Sequence, residues 1–183
     1  MEPTTLLLLY FVVPVWFLAG FADWLCHRAT DIEHTAGPKE SLLHLLMYAE
    51  VAVPLLACLF LDINALVILT MIAAFLLHEA TALWDVSYAV SRRVVTPLEQ
   101  HVHSFLEMVP LMAILLVLPG HWDQFLALFG FGPAEADFSL SWKDRPLSAA
   151  YLVTVLAAAF LVELLPYLEE LRRGMRVRRA RRP

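Results

Sequence analysis

Apolar residues run along this chain in five long blocks, and most ionisable residues crowd at the block edges. The blocks cover about 4–24, 41–61, 63–85, 97–118 and 147–166. A helix needs roughly 20 mostly apolar residues to cross a bilayer core, and each block is near that length. The pattern predicts an all-α polytopic membrane protein with five transmembrane helices in one integral domain, 1–183. Its first four helices are expected to form a four-helix bundle with a metal site at the cytoplasmic ends. Residues 120–146 are rich in Trp and Phe (Trp122, Phe125, Phe129, Phe131, Trp142) and read as an interfacial segment on the extracytoplasmic surface. Residues 167–183 carry seven arginines and read as a basic cytoplasmic tail. Met1-Glu2-Pro3 offers no basic start, so the first block reads as a retained helix rather than a cleaved signal.

Composition agrees with that reading. Hydrophobic residues make up 60%, charged residues 17%, and mean hydropathy is +0.68. Soluble domains are nearer half apolar and a quarter charged, so a disordered chain, a nucleic-acid arm and an ordinary cytosolic enzyme are excluded. The two cysteines, Cys26 and Cys58, fall near opposite ends of successive spans and are not expected to pair. With the N-terminus outside, eleven of the thirteen Lys and Arg residues lie inside, and only Lys143 and Arg145 lie outside. That asymmetry orients a multi-pass protein with its C-terminus in the cytoplasm, in the inner membrane if the source is bacterial.

The candidate chemistry lies in the histidines. Six of seven (His27, His34, His44, His78, His101, His103) fall at the inner ends of the first four helices or in the loop joining the first two. Asp23, Glu40, Glu79, Asp85 and Glu99 share that zone, and Glu50 and Glu107 lie deeper, roughly 12–15 Å from the start of their helices. Ionisable groups at membrane depth are costly unless paired, wetted or metal-bound. Asp23 and His27, Glu40 and His44, and Glu99 and His103 are each four apart; His78 and Asp85 are seven apart. Each helix therefore carries a carboxylate and an imidazole on one stripe. Soluble di-metal carboxylate bundles converge Glu and Glu-x-x-His groups in the same way, with a spacing of three rather than four. The pattern P-x-E-x-x-x-H occurs twice, at Pro38–Glu40–His44 and Pro97–Glu99–His103. Two such hairpins would place a two-centre site on an axis along the membrane normal.

Single features have plainer readings. Proline at N1 puts Glu40 and Glu99 at N3, where a capping box can use them, and Thr96 is a suitable N-cap for the second. His34 and Glu33 sit in a polar loop. His101 lies about 200° around the helix from Glu99, where it suits a substrate or headgroup contact. Glu79 could pair with Arg92 or Arg93. Glu163 reads as snorkelling to the inner surface. Arg92 and Arg93 are topology signals that could also hold a substrate headgroup. None of these readings covers four acid–imidazole pairs on four adjacent helix ends.

Mixed carboxylate and imidazole ligands suit iron, manganese and zinc, not copper(I) or iron–sulfur clusters. The eight expected ligands, Asp23, His27, Glu40, His44, His78, Asp85, Glu99 and His103, exceed what one zinc takes. His34, His101 and Glu50 are further candidates. The expected cofactor is two iron ions, with zinc as the alternative. On these residues, from Asp23 to Glu107, the chain resembles at class level the membrane histidine-rich di-iron hydroxylases and desaturases, although their H-x-x-H-H boxes are absent. The resemblance implies an oxygenase or oxidase acting on a lipid, isoprenoid or quinone from the bilayer. Glu107 and Glu79 are the expected catalytic acids, and Glu107 or Glu50 would relay protons. An electron-transfer protein at the cytoplasmic face is the expected partner; nucleic acid is not. The alternative is a zinc-dependent lipid hydrolase in which Arg92 and Arg93 hold the headgroup.

Overall fold

The computed structural model describes residues 2–181. Those residues are all-helical, with an isolated bridge between Leu61 and Trp142 and no strand. Five helices are long and apolar enough to cross a membrane: α1 (Pro3–Ala29), α2 (Pro38–Phe60), α3 (Ala65–Ala89), α4 (Pro97–Leu128) and α5 (Ala149–Ala180). Each direction reversal has a local cause. Asn64 caps α3 by accepting from the Val67 amide at 3.2 Å. Thr96 and Glu99 close a capping box on α4, and Ser148 caps α5. Between α1 and α2, Gly37 sits at φ 73° just before Pro38, a backbone conformation glycine adopts without Cβ strain.

The helices outrun the apolar blocks. α1 continues to Ala29 and α2 starts at Pro38, so their polar ends are helical. The basic tail is helical too: α5 continues through residues 167–180, and Tyr167, Glu170 and Gly174 are buried. The apolar block ends near 166, but hydrogen bonding carries a helix on through polar residues whenever one face packs. Segment 120–146 is likewise partly helical, with a 3₁₀ turn at Leu118–His121 and a short helix at Trp122–Leu128.

α2 packs on α3 and on α5, α1 on α4, and α3 on α4; α5 also lies along α1. Large apolar side chains point outward all around, among them Leu18, Leu77, Leu83, Leu115 and Leu161. Such a surface would be a liability in water and suits lipid. Inside, Val12, Trp16 and Val109 pack with Tyr48, Val51 and Leu106. At one end of the molecule, the C-terminal ends of α1, α3 and α5 meet the N-terminal ends of α2 and α4. Asp23, His27, Glu40, His44, Asp85, Glu99 and His103 gather at this end, which we term the site end.

Two irregularities shape the helices. π-turns interrupt α1 at Leu8–Val12 and α5 at Ala159–Leu164. A π-turn inserts one residue and rotates the rest of the helix about its axis. After the second, Glu163, Tyr167, Glu170 and Gly174 are buried along one stripe. At Gly174 a Cβ would come within 3.1 Å of the Pro38 backbone, so its absence lets α5 cross closely over the start of α2. At Gly20 a Cβ would overlap the Glu163 carboxylate. Glu163 is therefore seated on α1 inside the protein rather than reaching the surface.

Candidate metal centre

The centre is organised around a residue on the fifth helix. Glu170 is fully buried, and its two carboxylate oxygens lie 2.9 Å from Nδ1 of His27 and 2.9 Å from Nδ1 of His44. The two imidazoles stack at 4.2 Å between centroids and 11° between planes. A carboxylate accepts hydrogen bonds, so both Nδ1 atoms donate, and in each neutral ring Nε2 is left with its lone pair. A carboxylate orienting a histidine through the far nitrogen is the usual outer support of a metal-ligating imidazole. Here one carboxylate orients two.

Both Nε2 atoms face acids without a hydrogen bond. His27 Nε2 is 3.3 Å from Asp23 Oδ1 and 3.5 Å from Glu99 Oε1. His44 Nε2 is 3.4 Å from Asp85 Oδ2. His103 Nε2 lies 2.9 Å from Asp23 Oδ1, yet that oxygen has no aligned hydrogen-bond partner. Asp23 Oδ1, His27 Nε2, His44 Nε2, His78 Nδ1, Asp85 Oδ1, His103 Nδ1 and Glu163 Oε1 are all buried and unpartnered. Orphan polar atoms in a native interior are rare and call for a partner. Buried ring nitrogens opposed to carboxylate oxygens are an arrangement that a bound cation, or a proton on the imidazole, completes. Three compact sets have ligand atoms within 4.8 Å of one another: the mostly exposed Asp31–Glu33–His34 in the loop after α1, and the buried Asp23–His27–His103 and His27–Glu40–His44. The surrounding chamber of about 40 Å³ is also lined by His78, Asp85, Glu107, Glu163 and Tyr167. Tyr167 directs its hydroxyl toward Asp23 Oδ2 at 3.4 Å.

Arg93 departs most from the sequence reading. Its guanidinium is not open to a headgroup: it is buried and bridges Glu40 and Glu99. Nε lies 3.0 Å from Glu40 Oε1 and Nη1 2.9 Å from Glu99 Oε2. Burial works against its charge, but the hydrogen bonds it donates to Glu99 and Glu40 raise its pKa above the ordinary arginine value. The loop before α4 folds inward because two buried carboxylates need a cation. Glu40 and Glu99 are accordingly bound to Arg93, and Glu99 caps α4 as well. Of the two, Glu99 alone has an oxygen within 4 Å of a site nitrogen, His27 Nε2.

The remaining sequence candidates separate cleanly. Glu50 stands at the inner wall, accepting from Thr81 at 2.8 Å, with its other oxygen 3.8 Å from His78 Nδ1. Glu107 lines the chamber; Glu79 is half-buried and does not line it. His101 is exposed against Phe105. His34 is exposed and bonded to Asp31 at 2.8 Å, close to Glu33, away from the buried cluster. Arg92 is exposed and lies over the Tyr88 ring. Cys26 and Cys58 are free thiols.

Sequence reasoning missed Glu163, Tyr167 and Glu170. Their spacing of four and three, with Gly174 four further on, marks one helical face. That signal was legible once the helix was extended past the apolar block. No protein-family model, curated protein or solved structure matches this chain.

Proposed function

We propose that the chain is a membrane-embedded di-iron oxygenase or oxidase of the hydroxylase or desaturase type, acting on a lipid-like or isoprenoid substrate. α1–α4 form its four-helix metal-binding unit, and the site end faces the cytoplasm. The observation that carries the reading is the Glu170 bracket, which holds two stacked imidazoles and turns two nitrogens toward carboxylates. Asp23, His27 and His103 are assigned to one ion. His44 and Asp85 are assigned to the other, with His78 beside them. Glu99 is the further carboxylate within reach of the first set.

Iron in such a nitrogen and oxygen setting supplies oxygen activation. The chain's own residues do the rest. Glu170 fixes the tautomer and orientation of His27 and His44. The Arg93–Glu40–Glu99 cluster ties the starts of α2 and α4 to the loop after α3. The apolar walls formed by Trp16, Tyr48, Val51 and Leu106 keep bulk water from the reactive space. Glu107, at the chamber wall, holds or passes a proton, and Glu50 is a second carrier. The basic end of α5 offers a docking surface for an acidic electron donor.

A second reading has one observation in its favour. Asp23, His27 and His103 alone would make a three-ligand site of the kind catalytic zinc uses, with Asp85 or Glu107 as base for hydrolysis of a lipid ester, amide or phosphate. Metal content and oxygen dependence separate the two. Under the di-iron reading, His44→Ala empties the centre while His101→Ala keeps its metal, and turnover requires oxygen and a reductant. Full activity without oxygen, in protein holding one zinc that His44→Ala retains, would establish the hydrolase instead.

A further inference from the structure

A second cavity, about 330 Å³ in volume, runs from the site toward the opposite end of the molecule. It shares Trp16, Val51 and His78 with the metal chamber. Along α1 it extends from Thr4 to Trp16, about 18 Å at the helical rise. Between its ends the walls are apolar, with Leu55, Met71, Phe75 and Ile114 among them. Three of the four helices lining it are irregular at that level: α1 by the π-turn Leu8–Val12, α2 by Pro54 and α4 by Pro110. Proline removes a helix hydrogen bond and a π-turn widens the coil. The cavity thus lies where these helices depart from regular geometry.

Its ends differ in chemistry. The end at the site carries His78 and Glu50. The far end carries Lys143, Arg145 and His121, with Glu2 also at the wall. Lys143 is held there by backbone pairing: its amide bonds Phe60 O at 3.0 Å, and Asp62 N bonds Ser141 O at 2.9 Å. Lys143 is half-buried. Among the described residues, neither Lys143 nor Arg145 has a carboxylate within ion-pair distance, although Asp62 is near enough to act on Lys143 electrostatically. An elongated, mostly apolar cavity with a half-buried Lys143 and an exposed Arg145 at one end suits a single chain with an anionic head.

We infer that this cavity binds an amphiphile with one long hydrocarbon chain and a carboxylate or phosphate head, head at Lys143 and Arg145 and chain end beside His78. This reverses the polarity expected from Arg92 and Arg93, neither of which lines the cavity. It rests on the oxygenase reading only for its consequence, that the oxidised carbon is remote from the head. The binding itself does not require metal.

The test uses the full chain in lipid nanodiscs, stripped of metal by a chelator so that failure of the metal assignment leaves the result intact. The probe is a long-chain fatty acid with a diazirine at its methyl end; its methyl ester and a prenyl phosphate serve as competitors. Cross-links are expected on residues around His78, Val51 and Trp16. Ala113→Phe and Ala74→Phe, which fill the cavity, should each reduce labelling about tenfold or more. Lys143→Ala with Arg145→Ala should weaken the acid about tenfold and leave the ester unchanged. Stronger competition by prenyl phosphate than by free fatty acid would identify a phosphate as the natural head; the converse would identify a carboxylate. Either result supports the site. Labelling confined to the Lys143 end, equal binding of acid and ester, or indifference to both filling variants would overturn the proposal.

Discussion

At the scale of single residues, the centre depends on two groups that hold others in place. Glu170 accepts from two imidazoles, those of His27 and His44. If it orients metal ligands, Glu170→Gln should lower metal affinity by about 10–100-fold, the usual cost of losing an outer-shell partner. Metal titration against a chelator measures this, and an unchanged affinity would reduce Glu170 to a packing ion pair. Arg93 compensates two fully buried carboxylates. Arg93→Ala leaves them without a cation, and the expected loss is about 3–5 kcal/mol, read as a large fall in Tm in detergent. Arg93→Lys should recover little, because an ammonium cannot bridge two carboxylates with a planar fork. The gathering of acids and imidazoles at one end was legible in the sequence, because ionisable groups beside long apolar blocks stand out. Their pairing was not: of the four same-helix pairs expected, only Asp23 and His27 are in contact, while His44 faces Asp85, His103 faces Asp23 and His78 faces Glu50 across helices. Nor were the partners of Glu40 and Glu99: an arginine beside a span reads as a topology signal, and only the folded loop turns it inward.

At the scale of the elements, α5 decides the site. Its apolar block ends near 166, so the sequence pattern separated a membrane helix from a basic tail. The helix in fact continues, and its buried stripe, not its mean hydropathy, positions Glu170. Gly174 is the hinge of that placement, since a side chain there meets the Pro38 backbone. Gly174→Leu should lift the end of α5 from α2 and release metal; Met175→Leu, on an exposed neighbour, should not. Metal content per chain after purification separates these outcomes. Equal retention would show that the close crossing is not needed. The π-turn at Ala159–Leu164 could not be read from residue types, because a one-residue insertion in the hydrogen-bond ladder leaves composition unchanged.

For the whole molecule, the five helices long and apolar enough to cross a membrane came directly from the apolar blocks, since crossing a bilayer demands length and hydropathy and little else. The assignment of sides rests on the Lys and Arg distribution. It is checked by reaction of single cysteines with an impermeant thiol reagent in intact cells: Asp144→Cys should react from outside, and Arg179→Cys only after permeabilisation. The reverse pattern would move the candidate centre to the outer face and remove the cytoplasmic donor from the account. The central claim, that the site end of the five helices holds two iron ions, is most directly tested by elemental analysis joined to Mössbauer spectroscopy of the purified protein. The account expects two irons per chain in nitrogen and oxygen coordination, lost together in His27→Ala and His44→Ala. Protein that is stable and active with no bound metal, or that holds a single zinc, would contradict it.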